Sequence, residues 1–368
     1  MTANGLEGVV VADTALSDVD GERGRLVIRG HDVEQLALQV DFEAVCALLW
    51  HGALPDAAAH AALRQGLGRA RVRAFARLPS LGDALASADA MDALRAALAH
   101  LRADGVAPAQ LKLDITAALA VFAAAWSRLR EGAAPIAPDP ALGHAADTLR
   151  MAGVAGADGA RAAALDAYLV TASDHGMNAS TFTARVVAST QSDAVSAVVA
   201  AIGALKGPLH GGAPGPVLAM LDAIGTPEQA PHWIARELAA GHRIMGMGHR
   251  VYRVRDPRAA VLERAIEQLQ AAGVRSPRLA LARAVEAVAV ASLGERRPER
   301  RLAANVEFYT AVILDAIGLP QSLFSAIFAV ARVAGWLAHI DEQRAGGRLI
   351  RPASRYVGPQ PEVAAEAA

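Results

Sequence analysis

Two histidines stand in glycine-bracketed segments, His210 in Lys206-Gly207-Pro208-Leu209-His210-Gly211-Gly212 and His249 in Gly246-Met247-Gly248-His249. Glycine on either side allows positive φ and lets a ligand approach with no Cβ in the way, so both imidazoles are placed to meet a bound molecule. The plainer account of His210 is a helix-ending turn, where an imidazole also suits the C-terminal dipole. Around His249 the chain concentrates Arg243, Arg250, Arg253, Arg255 and Arg258, against a whole-chain balance of 36 Lys plus Arg and 37 Asp plus Glu. Guanidinium forks and backbone N–H groups converging on a glycine-rich loop make a polyanion site. A solvated basic face is the alternative, and the interleaved glycines with Val251 and Tyr252 favour the site. The spacing is neither a P-loop nor a dinucleotide fingerprint, since no strand precedes it and the glycine pattern differs.

Three further residues ask for a chemical account. His175 lies in Ser173-Asp174-His175-Gly176-Met177-Asn178-Ala179-Ser180-Thr181, where Asn, Ser and Thr are equally good helix caps. Glu307, in Asn305-Val306-Glu307-Phe308-Tyr309, reads as a first-turn acid that suits a helix dipole. Arg332 is harder to dismiss. Its helical neighbours Phe328, Ala329, Gly335 and Trp336 form an apolar stripe, and a buried guanidinium needs an anion, internal or bound.

The elements that must position these groups are helices. Alanine is abundant, aromatics are only 4%, and apolar residues recur at helical spacing, so the chain is expected to be all-α. Ser276-Pro277 starts one helix, which the pattern runs to Gly294. Another spans about Asn305 to Gly318, and a third about Ser322 to Gln343. The exception is Val9–Ile28, whose β-branched residues around Asp20-Gly21 predict a short hairpin. Loops are expected at Gly132–Pro140, Gly153–Gly159, Gly207–Pro216, Gly246–Pro257 and Gly294–Arg301.

Composition excludes several classes. A net charge of -1 gives no global reason to expect nucleic acid or an anionic membrane as partner. The uncharged apolar stretches Ile115–Trp126 and Ala194–Leu205 are short of the ~20 residues a membrane span needs. The single cysteine, Cys46, excludes an internal disulfide and a thiolate zinc site. With no signal-like N-terminus, these features point to a cytoplasmic protein, and no appended regulatory domain is expected.

In order along the chain, Gly5-Leu6-Glu7-Gly8-Val9-Val10, Arg29-Gly30-His31-Asp32, Leu48–Pro55, Asp174–Ser180, Gly207–Gly212, Gly246–Arg258, Asn305–Tyr309, Arg332–Glu342 and Arg351–Gly358 resemble the blocks of the citrate synthase family. The resemblance covers nearly the whole chain. It implies a two-domain helical homodimer, with a large domain of residues 1–211 and 313–368 and a small domain of 212–312. It implies an acyltransferase of the tricarboxylic acid cycle that converts the acyl group to alkyl, joining acetyl-CoA to oxaloacetate with no metal or redox cofactor. By the same resemblance His210 matches the histidine at the thioester enol, His249 the one that polarises the ketone, and Glu307 the base. His175, Arg258 and Arg332 match oxaloacetate ligands, Arg351 an arginine reaching the neighbouring subunit's site, and Arg243, Ile244, Met245, Gly246 and Met247 the loop along CoA.

The residue types suit that reaction. A thioester methyl is a very weak carbon acid, so a carboxylate removes its proton only if a preorganised donor meets the charge on oxygen. The family usually has aspartate at 307. The extra methylene of Glu307 moves the carboxylate by roughly 1 Å, a displacement that can cost on the order of 100-fold in rate. Two other readings stay open: a 2-methylcitrate synthase using propanoyl-CoA, and a non-catalytic paralogue that binds acyl-CoA or a dicarboxylate.

Overall fold

The computed structural model describes residues 4–6, 8–157, 159–211, 214–249, 251–296 and 302–359, so Gly212 and Arg250 lie outside the described residues. Within them the regular structure is almost wholly helical. The helices are α1 (Val33–Leu36), α2 (Phe42–His51), α3 (Ala57–Ala76), α4 (Ala90–Leu98), α5 (Pro108–Arg130), α6 (His144–Met151), α7 (Gly159–Ala172) and α8 (Ala179–Ser189). They continue with α9 (Ala194–Leu205), α10 (Pro214–Ile224), α11 (Ala230–Ala239), α12 (Pro257–Ala271), α13 (Pro277–Arg296), α14 (Val306–Ala316) and α15 (Phe324–Gly346). Many starts are written in the sequence as caps. Asp41, Asp56, Asp89, Asn178, Asp193, Asp256 and Asn305 each accept a first-turn backbone N–H that would otherwise lack a partner.

The centre is built on α5 and α15. Helix α15 is buried almost throughout Phe324–Ile340 and packs on α2, α5, α7, α8 and α9. Both helices are longer than the uncharged stretches picked out above, because charges near their ends or a lone Arg332 do not interrupt them. By length and composition each could cross a membrane, yet their most apolar windows are 72% and 94% buried inside the protein. Their apolar surface is therefore already used by the protein's own core.

The small β element is a three-stranded antiparallel sheet, β1 (Ser17–Asp20), β2 (Arg25–Ile28) and β3 (His31–Asp32), with Ser17 opposite Ile28 and Asp20 opposite Arg25. It starts later than the predicted hairpin and gains a third strand. Its turn presses on the loop after His249: Arg253 N–H donates to the Gly21 carbonyl at 2.9 Å, and a Cβ on Gly21 would meet the Val251 carbonyl oxygen at 2.2 Å.

Two loop boundaries also differ from the sequence reading. Helix α13 runs through Gly294 to Arg296, since a glycine inside a helix costs only about 1 kcal/mol and does not have to end it. Helix α10 begins at Pro214, which puts Pro216 in its first turn rather than in a loop.

Candidate active site

The turn carrying His210 follows α9, as expected, and the imidazole faces the start of α8. Ser180 N–H donates to His210 Nε2 at 3.3 Å, and Ser180 Oγ lies 2.8 Å from the same nitrogen. A backbone N–H can only donate, so Nε2 is the acceptor and Nδ1 carries the proton of the neutral ring. Burial, aided by the charge of Arg332, lowers the His210 pKa to about 4. Trp336 Nε1 donates to Ser180 Oγ at 3.1 Å and fixes the other side of this contact. Asn178 caps α8, so the capping account of the 173–181 segment holds for Asn178 while His175 does something else.

His175 is buried, with Nε2 3.0 Å from Tyr252 Oη and its ring edge-on to His249 at 5.6 Å between centroids. Burial and the neighbouring Arg258 and Arg332 push its pKa well below the usual histidine value. His249 is held by its own loop: Val251 N–H and Tyr252 N–H donate to Nδ1 at 3.0 and 3.1 Å. Its proton is therefore on Nε2, and burial with the Arg258 charge lowers its pKa to about 4. Arg258 Nη2 is 3.4 Å from that nitrogen. Two donors side by side suit one shared acceptor, such as a carbonyl or carboxylate oxygen.

Buried Asp256 joins the start of α12 to that of α14. It caps α12 through Arg258 N–H, pairs with the Arg258 side chain through Oδ1 at 3.0 Å and Oδ2 at 2.7 Å, and accepts Val306 N–H at 3.1 Å. Glu307, next in the chain, sits in the first turn of α14. It is only partly shielded as a residue, but its Oε2 is fully buried and has no hydrogen-bond partner among the described residues. Burial raises its pKa to about 7 against the pull of Arg258 and Arg332, with Asp256 adding to the rise. A carboxyl poised near neutrality serves a proton transfer at physiological pH.

Arg332 is buried as its helical neighbours predict. Nε donates to the Ala172 carbonyl at 2.6 Å, the guanidinium lies over the Phe328 ring, and Nη2 is buried with no partner among the described residues. Burial lowers its pKa to about 10, with Asp174 the strongest opposing influence, so it stays cationic at neutral pH. An orphaned guanidinium N–H in a buried site is costly unless a ligand anion completes it.

The 243–249 loop is tied to α14 by pairing the sequence did not suggest. Met247 bridges Ala304, Gly248 N–H donates to the Ala303 carbonyl, and Asn305 N–H donates to the Gly246 carbonyl. Gly246 has φ +73° and touches Phe308, where a Cβ would be 2.9 Å from the Phe308 Cβ. This pairing holds the loop that carries His249 beside the start of α14, where Glu307 sits. Ile244 is buried and Met245 and Met247 half-buried, while Arg243 is exposed. Arg351 is also exposed, in the extended segment beyond α15, and makes no bond to the other site residues. The structure thus gathers His175, His210, His249, Arg258, Glu307 and Arg332, and leaves Arg351 apart within one chain. Ser180, Trp336, Tyr252 and Asp256 were not read as site residues, although Ser180 stood in a cap-like segment, Tyr252 lay in the arginine-rich loop, and Asp256 is an Asp before Pro at a helix start.

The set comprises three neutral imidazoles, two of them with tautomers assigned by backbone donors, one carboxyl titrating near 7, and two buried guanidinium groups. It can hold a small polyanion, polarise carbonyl oxygens and move a proton at carbon. Comparisons with known proteins point the same way. The family described as "Citrate synthase, C-terminal domain" matches residues 5–353. The citrate synthase of Haloferax volcanii is 40% identical, covering 96% of this chain and 95% of that protein. A 2-methylcitrate synthase of Mycobacterium tuberculosis is 37% identical over 98% of this chain and 91% of its own. Among solved structures, citrate synthase from Thermotoga maritima superposes with a TM-score of 0.85 at 32% identity, covering 99% of this chain and 98% of the other. The enzyme from Thermoplasma acidophilum, solved as a ternary complex with carboxymethyl coenzyme A and oxaloacetate, gives 0.84 at 28% identity, covering 99% and 98%.

Proposed function

The chain belongs to the citrate synthase family, and from that premise we propose which of its residues carry the reaction. The enzyme is an acyltransferase that converts the acyl group to alkyl: acetyl-CoA, oxaloacetate and water give citrate and CoA. The observation that supports the assignment of roles is the orphaned, buried Nη2 of Arg332 among Arg258, neutral His175 and His249, and a carboxyl titrating near 7. Arg332, Arg258 and His175 bind oxaloacetate. His249 Nε2–H and Arg258 share its ketone oxygen and make the carbon electrophilic. Glu307 takes a proton from the thioester methyl while His210, through Nδ1–H, donates to the thioester oxygen and stabilises the enol. The enol carbon attacks the ketone carbon, and hydrolysis of the citryl thioester releases CoA. This is acid–base chemistry on the protein's own groups, and no metal or redox cofactor enters it.

Residues 243–247 lie along CoA in this reading. His175, His210 and Arg332 come from segments 1–211 and 313–368, and His249, Arg258 and Glu307 from 212–312, so substrate lies in the cleft between a large and a small domain. Arg351 reaches the site of a second subunit in a cytoplasmic homodimer. Thiol release from acetyl-CoA on adding oxaloacetate tests the function, and no release in either order of addition refutes it. The 37% identity to a 2-methylcitrate synthase supports propanoyl-CoA as the alternative acyl donor. One methyl in a pocket is worth only about 1–3 kcal/mol, so comparing kcat/KM for the two thioesters decides between them.

A further inference from the structure

Asp174 has no role in the chemistry above, yet it is fully buried directly before His175. Ser17 Oγ donates to its Oδ2 at 2.5 Å and accepts Gly176 N–H at 2.8 Å, so one hydroxyl of β1 grips the loop on both sides of His175. His339 Nε2 stands 3.2 and 3.3 Å from the two carboxylate oxygens. The other ring nitrogen, Nδ1, lies 3.0 Å from Arg185 Nη1, which can only donate, so the His339 proton is on Nε2 and points at Asp174. Arg185 is neutralised in turn by Glu342 at 2.6 Å and donates from Nε to Gln343 Oε1 at 3.0 Å, and Glu342 accepts Ala15 N–H. His339 lies on α15 two turns beyond Arg332. Between them Gly335 N–H donates to the Ser173 carbonyl, and a Cβ at 335 would be 2.6 Å from Asp174 Oδ1.

We propose that His339 and Asp174 form a positioning pair that locks the 174–176 loop onto α15, fixing His175 and Arg332 relative to one another for oxaloacetate. The claim rests on the reading that those two residues bind that substrate. The acidic partner also does electrostatic work. Asp174 is the main influence that keeps the Arg332 guanidinium charged, and its own carboxyl, though burial opposes ionisation, is held below the usual range by His339, Ser17 and Arg332. The orientation of His339 is set from outside the site by Arg185, as a carboxylate or carbonyl behind a metal-bound histidine sets its tautomer.

Steady-state kinetics on His339→Ala, His339→Gln and Ser17→Ala test this beside Arg332→Gln. His339→Ala is expected to raise KM for oxaloacetate about tenfold, the effect of losing one charge-assisted hydrogen bond, with KM for acetyl-CoA within about twofold. His339→Gln can donate to Asp174 and accept from Arg185, and is expected to return KM for oxaloacetate to within about threefold of the parent. Ser17→Ala removes only a hydroxyl and carries the same selective rise if the larger truncation leaves little folded protein. Unchanged oxaloacetate KM in Ser17→Ala and in folded His339→Ala overturns the proposal. So does a loss shared equally by both substrates that Gln does not rescue. Arg332→Gln separates the two ideas: if it too leaves oxaloacetate binding intact, the assignment of the anion site fails, and if it alone abolishes binding, only the positioning pair does.

Discussion

Glu307 is the group whose protonation state changes in the range where cells live. A general base must be ionised, and its pKa near 7 means that below this pH a growing fraction of enzyme carries the proton already. His210 and His249, near 4, are neutral from about pH 5 upward and add no second limb. The expected profile of kcat/KM for acetyl-CoA therefore falls about tenfold per pH unit below about 7 and is level above it, which a pH series measures directly. Glu307→Gln removes the base and is expected to lower kcat by about 100- to 10,000-fold. Its stability should move the other way. A carboxyl whose folded pKa is raised destabilises the fold as pH climbs from its unfolded value of 4.5 through 7. Glu307→Gln is expected to gain on the order of 1–3 kcal/mol at pH 8 and nothing at pH 4.5, read by thermal melts at both. A melt difference independent of pH, or turnover retained in the Gln variant, removes Glu307 from the role of base.

The elements decide whether these groups meet, and here the sequence was informative in some places and silent in others. Caps and stops are local, so α14, with Asn305 at its start and Gly318 at φ +91° just past its end, was legible, as was α15 with its buried Arg332. Pairing between distant segments is not local. The bridge from Met247 to Ala304, the turn of the β1–β2 hairpin against Val251, and the Asp174–His339 pair join residues 57 to 230 positions apart, with no pattern to announce them. Two glycines make the consequence measurable. Gly246→Ala adds a Cβ at φ +73° and 2.9 Å from Phe308 Cβ, and Gly21→Ala adds one 2.2 Å from a backbone oxygen. Each must shift the His249 loop, and a misplacement near 1 Å is expected to cost on the order of 100-fold in kcat/KM. Gly203→Ala, on α9 with nothing within 4 Å of the added carbon, is the matched control and should keep parental activity. Equal kcat/KM in all three variants would show that the loop needs no such support.

At the scale of the whole molecule, one cation is out of place. Arg332 and Arg258 are buried beside the imidazoles, whereas Arg351 is exposed on the extended segment that follows α15, next to the exposed Leu349 and upstream of the exposed Tyr356 and Val357. A segment with exposed apolar side chains and a guanidinium that has no partner among the described residues is suited to lie across a second copy, and a two-fold dimer would then place Arg351 of each subunit in the site of the other. Arg351→Ala and His210→Ala should each be inactive alone, because every site in either homodimer lacks one group. After unfolding, mixing in equal amounts and refolding, half of the dimers are hybrids. In each hybrid one site receives His210 from one chain and Arg351 from the other, both intact, while its second site carries both lesions. The mixture is therefore expected to recover about a quarter of parental activity per site, by random assortment across a two-fold interface. If Arg351 acted within its own chain, no hybrid site would be whole and the mixture would stay as inactive as its parts.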